Sequence, residues 1–246
     1  MPPDVIDAGP VWDFDDPAGS ERRFRAAADG SAGAERAAWL TQVARALGLQ
    51  GRFDEAHAVL DGLEEADPEV ATRLALERGR LLRTAGAATA ARPHFESAVR
   101  VARAAGLEEL GVDALHMVAL VTVGEERAAA QQAALRAARA AGDPRARDWD
   151  ASILNNIGMD HADAGDHDRA LACFGEALAA RERIGNPADI RVARWMVAWT
   201  LRHLGRRDEA LALQRRLKAE RDAIGEVDPV RRRGNGAPRG LIRAPV

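Results

Sequence analysis

The clearest periodicity along the chain lies between Ala151 and Ile184. Leu154, Ile157, Gly158 and His161 recur at i, i+3, i+4 and i+7, and beyond Gly165 the residues Ala170, Phe174, Ala177 and Leu178 recur at i, i+4, i+7 and i+8. Both spacings line up one face of an α-helix, so the stretch predicts two amphipathic helices hinged at Gly165. Gly158 and Ala170 put a small residue on each helix, where two backbones can approach closely. Asp166 offers a capping oxygen to the second helix, and Asp168 a charge suited to its N-terminus.

The same two-helix pattern recurs on both sides. A first pair begins at Ala37, with Leu40, Val43, Ala44 and Leu47 on one helix, a turn in Gly51–Ala56, and Leu60 and Leu63 on the next. A second starts near Thr72, with Gly79 as its small residue, Gly86 at the turn, and Ala91, Phe95 and Ala98 beyond. Pro93 falls early in that helix, where a missing N–H is tolerated. The third pair, Glu109–Gly142, fits worst: His116 falls where a small residue is expected, and Gln132 where a large apolar one is. A fifth runs from Arg191 through Val197, Ala198 and Leu201 to a turn at Gly205, then Ala210 and Leu217. Aligning Ala56, Ala91, Ala128, Ala170 and Ala210 gives successive spacings of 35, 37, 42 and 40 residues.

Five such units in near phase resemble tetratricopeptide repeats (TPR), helix–turn–helix units of about 34 residues. The longer later units, with LNNIG (Leu154–Gly158) and ALAARERIG (Ala177–Gly185), are similar to the kinesin light chain type. The resemblance covers residues 37–224. It implies an all-α, right-handed superhelical solenoid of about five repeats, in which stacked neighbours bury the faces that no single repeat can bury alone. The expected organisation is an acidic N-terminal extension (1–33) with a short helix at Ser20–Asp29, the solenoid (34–225), and a disordered basic tail (226–246).

Proteins of this family use their leading helices to line a concave groove that holds a peptide or a partner's helix. Carried over by position, that groove receives Thr41 and Arg45 from the first repeat, Arg73, Leu76, Arg80 and Arg83 from the second, and Asp113, Met117 and Leu120 from the third. Asn155, Met159 and Ala162 come from the fourth, and Trp195, Trp199 and Arg202 from the fifth. The resemblance therefore implies a protein–protein interaction scaffold or adaptor, with a regulatory peptide sensor controlling a partner protein as the alternative. Arg45, Arg73, Arg80 and Arg83 suggest a cationic end suited to an acidic peptide, since guanidinium groups pair bidentately with carboxylates. Trp195 and Trp199 share a helical face and, with Met159, suggest an apolar anchor site. The lysine–asparagine carboxylate clamp of some TPR co-chaperones is not found in any register.

The N-terminal segment carries Asp4, Asp7, Asp13, Asp15 and Asp16 with no lysine or arginine before Pro17, and Trp12 and Phe14 lie among these acids. An acidic, aromatic segment matches an arginine-lined groove and suggests that it occupies the groove of its own chain or of a second copy. After Gly225, the stretch Val227–Val246 holds five arginines, three prolines and three glycines without helical periodicity.

Composition changes this picture only at its edges. A net charge of −3 argues against general nucleic-acid binding, and the tail arginines lack interleaved aromatics. The lone cysteine, Cys173, excludes an intrachain disulfide and suggests a core residue in a reducing compartment. The start of the chain lacks the n- and h-regions of a signal peptide, and no apolar run spans a membrane, so a cytoplasmic protein is expected. Asp160, His161, Asp163, Asp166, His167 and Asp168 cluster in sequence but match neither HExxH nor an EF-hand loop, and histidine at 161 and 167 stands where the family often places tyrosine. No phosphate loop, GxSxG elbow or base beside Cys173 is present. No metal, cofactor or catalytic activity is expected. A homodimer through the terminal repeat is the one self-association the pattern suggests.

Overall fold

The computed structural model describes residues 6–64 and 66–223, and its regular structure there is helical throughout. A 3-10 turn at Gly9–Val11 precedes α1 (Pro17–Asp29), α2 (Gly33–Leu49), α3 (Phe53–Asp61), α4 (Pro68–Thr84), α5 (Ala88–Ala105), α6 (Glu108–Val121), α7 (Gly124–Ala140), α8 (Pro144–Asp163), α9 (His167–Ile184), α10 (Pro187–His203) and α11 (Arg207–Ala223). The five predicted pairs are therefore α2–α3, α4–α5, α6–α7, α8–α9 and α10–α11. The chain divides into two compact units, Met1–Arg147 and Asp148–Val246, with the boundary inside α8. The sequence expectation for the tail falls outside the described residues.

Within the first unit each leading helix packs on its trailing partner, and α4 is also a neighbour of both α2 and α6. In the second unit α10 packs against both α9 and α11. One contact explains the pairing. A Cβ built on Gly79 would come within 2.4 Å of the Phe95 ring, and one on Gly158 within 2.7 Å of the Phe174 ring. The aromatic ring of the trailing helix fills the space left by the missing side chain on the leading helix, and both rings are buried. Dense interdigitation of this kind holds the helices closer than two full side chains would allow.

The turns follow from glycine as well. Gly51, Gly86, Gly165 and Gly205 adopt φ values of 77°, 84°, 77° and 72°, a left-handed region that side chains disfavour. Asp67 accepts hydrogen bonds from Glu69 and Val70, Asp166 from Arg169, and Asn186 from Ala188, which caps α4, α9 and α10.

The third pair departs for a physical reason. Its helices are joined by Thr122 and Val123 alone, both extended. In the other four pairs the left-handed glycine stands two residues ahead of the second helix; here it is Gly124, the first residue of α7 itself. The register moves by one from the sequence alignment. Arg127, not Ala128, takes the fourth position of α7, and Ala128 is exposed. Gln131, not Gln132, is then the buried residue one turn on. His116 does occupy the small-residue position and is buried. The large residue has moved to the leading helix and the smaller one to the trailing helix.

Two further boundaries shift. The helix expected at Ser20–Asp29 starts at Pro17, where Asp16 accepts a hydrogen bond from Gly19 N–H at 2.9 Å. Its Phe24 belongs to the same buried cluster as Val43, Leu47, Leu60 and Leu74, so α1 completes the first core instead of extending from it. Pro93 is the sixth residue of α5, beyond the first turn, and it denies the Thr89 carbonyl its helical partner. Cys173 is half-buried beside the core residue Phe174.

If the glycine–aromatic interlock sets the spacing, Gly79→Ala will destabilise the protein by about 1–3 kcal/mol through overpacking. Gly175→Ala, on an open face of α9 with nothing near its Cβ, will stabilise by about 0.5–1 kcal/mol through helix propensity alone. Urea denaturation of both variants checks the contrast, and an equal effect would remove the interlock as its cause.

Candidate peptide-binding faces

In the first unit the candidate face is built by α2, α4 and α6. Ala44, Gly79 and His116 are the inward small-residue positions of these helices, so Arg45, Arg80 and Met117 follow at the next position of each. This face already carries a stretch of the chain's own polypeptide, turned at Gly9–Val11. The Ile6 N–H donates to Glu69 Oε1 at 3.0 Å, and the Ile6 carbonyl accepts from Arg73 Nη2 at 3.0 Å. Arg73 Nε in turn donates to the same Glu69 oxygen at 2.8 Å. Glu69 and Arg73 thus grip both backbone groups of one residue, a contact indifferent to its side chain.

Six residues on, Trp12 Nε1 donates to Gln42 Oε1 at 3.1 Å. The Trp12 and Phe14 rings stack at 4.7 Å between centroids, with planes 2° apart. The Arg45 guanidinium carbon lies 5.4 Å and 5.5 Å from the two centroids, a cation–π arrangement. Trp12 also meets the Phe24 ring edge-on at 4.8 Å, and Arg23 donates to the Val11 carbonyl at 2.9 Å. The N-terminal segment therefore lies on the predicted face of its own unit.

The chemistry of that contact differs from the sequence expectation. Asp7 accepts from Gly9 N–H, Asp13 from the N–H groups of Asp15 and Asp16, and Asp16 from Gly19 N–H. These carboxylates fold the segment and start α1; the aromatics and one peptide unit meet the face. Asp4 lies outside the described residues.

The expected row of open arginines is also corrected. Arg73 is paired with Glu69, and Arg80 with Glu77 and, through two hydrogen bonds, with Asp113. All five of these side chains are buried. Arg45 lies under the aromatic pair, and Arg83 is half-buried. The signal was present in the sequence: Glu69 and Glu77 precede their arginines by four and three residues, the separations at which helical side chains meet. Leu76, expected to line the face, is 1% exposed and belongs to the core, and Thr41 is buried with its hydroxyl donating to the Ala38 carbonyl.

Electrostatics in this cluster follow burial. Burial, followed by the nearby Arg80 charge, pulls Arg45 down to about 10, and its Nε is shielded from solvent without a hydrogen-bond partner. Burial also pulls Arg80 down, but Asp113 and Glu77 outweigh it and hold that guanidinium above the ordinary arginine value. Burial drives His116 from 6.5 to about 4; Asp113 opposes the shift, and Arg80 and Arg83 add to it.

In the second unit the candidate face belongs to α8 and α10. Met159, Trp195 and Trp199 pack, half-buried, on a core of Ala162, Ala170, Phe174 and Met196. The three side chains expected to form an anchor are thus gathered on one cluster. Trp199 lies 4.2 Å from the His203 ring and 6.0 Å from His167, and the two imidazoles are 4.7 Å apart. Burial, then His167, then Arg202 hold His203 below its ordinary value. No sequence signal announces this histidine pair, because 167 and 203 come from different repeats. Asn155 is half-buried and Arg202 exposed. Among the described residues no group of three or more His, Cys, Asp or Glu side chains is placed to hold a metal ion, and no helix is long and apolar enough to cross a membrane.

Comparison with known proteins agrees with this architecture. Residues 149–218 match the tetratricopeptide repeat family model. The structure is similar to that of BtubC (BKLC) from P. vanneervenii, with a TM-score of 0.64 and 22% identity over 91% of this chain and 95% of that one. It is similar to the apo form of the quorum sensor NprR from B. thuringiensis, with a TM-score of 0.59 and 14% identity over 83% of this chain and 59% of that one. A putative kinesin light chain with nearly identical TPR-like repeats from Podosopora anserina gives a TM-score of 0.51 and 15% identity over 75% and 94% of the two chains. No curated protein sequence matches the chain.

The depressed His116 has a measurable consequence. Between pH 6.5 and about 4 the unfolded chain binds a proton at this side chain and the folded chain does not, so stability is full above pH 6.5 and falls as the pH drops through that window. The loss amounts to about 3 kcal/mol by pH 4. Chemical denaturation of wild type and His116→Gln across this range should show a clearly shallower pH dependence in the variant; equal slopes would assign the acid sensitivity elsewhere.

Proposed function

We propose that this chain, whose residues 149–218 match the tetratricopeptide repeat family model, is a protein–protein interaction scaffold whose α2–α4–α6 face binds an aromatic-bearing peptide segment. One observation supports this reading above the others: a segment of the chain's own, turned at Gly9–Val11, is held there by contacts of the kind a guest would use. Glu69 and Arg73 hold the N–H and C=O of one residue without regard to its side chain, and Gln42 and Arg45 select a stacked aromatic pair some six residues later. Backbone contacts of this type supply affinity, and the aromatic pair supplies specificity.

An acidic guest is a weaker reading than the arginine count suggested. Arg73 and Arg80 are already neutralised by carboxylates of the same face, and breaking such buried pairs to accept a new carboxylate is costly. The guest suited to this face is a segment with an aromatic residue, one intervening residue and a second aromatic. The resident segment then acts as a competitor that a partner must displace. The alternative, a regulatory peptide sensor that controls a partner protein, uses the same face and differs only in what displacement triggers.

The test uses a fluorescently labelled peptide of the sequence Ile6–Asp16 and the full-length protein. A site occupied in cis lowers the apparent affinity for a guest by its fractional vacancy. Trp12→Ala/Phe14→Ala should therefore bind the peptide at least about tenfold more tightly than wild type in anisotropy titrations. Adding Arg45→Ala should remove that gain, with circular dichroism showing that all three proteins keep their helices. Equal, weak binding by wild type and the double variant would make the segment a fixed part of the core and overturn the reading.

A further inference from the structure

We propose that the Met159–Trp195–Trp199 face of the second unit docks this chain's own arginine- and proline-rich segment, residues 226–246. The starting point is a correspondence of register. In the first unit the position after the small residue of α2 is Arg45, and it lies under the Trp12 and Phe14 rings. The same position is Met159 on α8, after Gly158, and Trp199 on α10, after Ala198. Trp195 stands one helical turn before Trp199. The contact in the first unit pairs a cation on the helix with aromatics on the guest. The second unit carries the aromatics on the helix, so the matching guest supplies the cation.

The chain supplies such a guest. The stretch Val227–Val246 contains Arg231, Arg232, Arg233, Arg239 and Arg243 together with Pro229, Pro238 and Pro245. Guanidinium groups stack on indole faces, and proline-rich segments favour extended conformations that dock on aromatic-lined surfaces. The residues lie outside the described part of the structure, but their point of attachment is fixed. Arg194, midway along α10, pairs at 2.9 Å with Glu220 near the end of α11, which brings Ala223, the last described residue, close to the part of α10 that carries Trp195. Each extended residue spans about 3.3 Å, so the 23 residues that follow Ala223 are far longer than the roughly 10 Å that separates neighbouring helices.

Charges already on the face do not pre-empt the guest. Arg194 is taken by Glu182 and Glu220, and Arg206 by Glu209. Arg202 is exposed one turn beyond Trp199 and disfavours a guanidinium at that end, so the docking arginine belongs beside Trp195 and Met159. The proposal is independent of what the first unit binds.

Photocrosslinking in the full-length protein tests it. Trp199→p-benzoylphenylalanine, and separately Trp195→p-benzoylphenylalanine, are irradiated, and the linked peptides are mapped by mass spectrometry. Mixing isotope-labelled and unlabelled protein separates links within one chain from links between copies. The expected result is linkage within one chain to peptides from residues 226–246, reduced at least about fivefold when Arg231→Glu/Arg232→Glu/Arg233→Glu is added. Links that avoid this segment, links to it only from another copy, or a yield unchanged by the triple substitution would each overturn the proposal. Acrylamide quenching of tryptophan emission in the triple variant, with both tryptophans intact, is the second readout. Greater quenching than in wild type supports docking, and unchanged quenching counts against it.

Discussion

The structure depends on the absence of a side chain. Where Gly79 and Gly158 face Phe95 and Phe174, a ring from the trailing helix takes the volume that any other residue would claim. This contact fixes the distance between paired helices and, because helical side chains recur with fixed phase, also fixes which residues of the leading helix point away from the interlock. Arg45, Met159 and Trp199 lie half-buried on these faces, and Arg80 buried beneath one of them, because each follows a small residue that must point inward. The candidate faces are thus consequences of core packing, and the third pair shows what happens without it. There His116 and Gln131 take the two positions, the left-handed glycine moves from the turn into the start of α7, and a histidine is buried in its neutral state.

Burying Glu69, Arg73, Glu77, Arg80 and Asp113 on the displayed face runs against the usual makeup of a protein interior. Ion pairs removed from water recover their desolvation cost only when geometry and further hydrogen bonds are good, and they seldom add much stability. Their effect here is to give the face a fixed pattern of donors and acceptors. Glu69 is held by Arg73 and so presents one oxygen to a passing N–H, while Arg73 is held by Glu69 and so presents one N–H to the adjacent carbonyl. Arg80, held by Asp113 and Glu77, contributes its charge to the depression of Arg45 and His116 but has little left to offer a guest. Most of the charges on this face are already committed to one another.

Much of this is legible in the sequence, and the failures have specific causes. The five helix pairs, their turns, and the small and aromatic residues of the second and fourth pairs follow from period and glycine placement alone. The third pair is displaced by one residue because counting from alanine to alanine cannot see a turn shortened by a residue. The place of the N-terminal segment on the first face follows from composition, but through the wrong interaction: composition counts aspartates, while local hydrogen bonding decides where they go. Asp13 and Asp16 are followed closely by the N–H groups they accept from, and short acidic side chains in that setting cap and turn the backbone before they reach for distant arginines. The arginine row fails for a related reason. What Arg73 and Arg80 can offer a guest depends first on what the carboxylates three and four residues earlier claim from them.

Two faces built on one register carry opposite chemistry. In the first unit the helix supplies a guanidinium and the segment supplies the rings; in the second the helix supplies the rings. A cation–π contact is symmetric in energy but not in consequence. An arginine on the scaffold can be neutralised by neighbouring carboxylates, as Arg73 and Arg80 are, so its availability depends on the rest of the face. A tryptophan has no charge for a carboxylate to neutralise, although Trp199 already meets the His203 and His167 rings. If the two faces bind as proposed, the first selects by prior commitment of its charges, and the second by shape and by exclusion of extra positive charge at Arg202. A scaffold with both can discriminate between guests of different charge using one repeated backbone geometry.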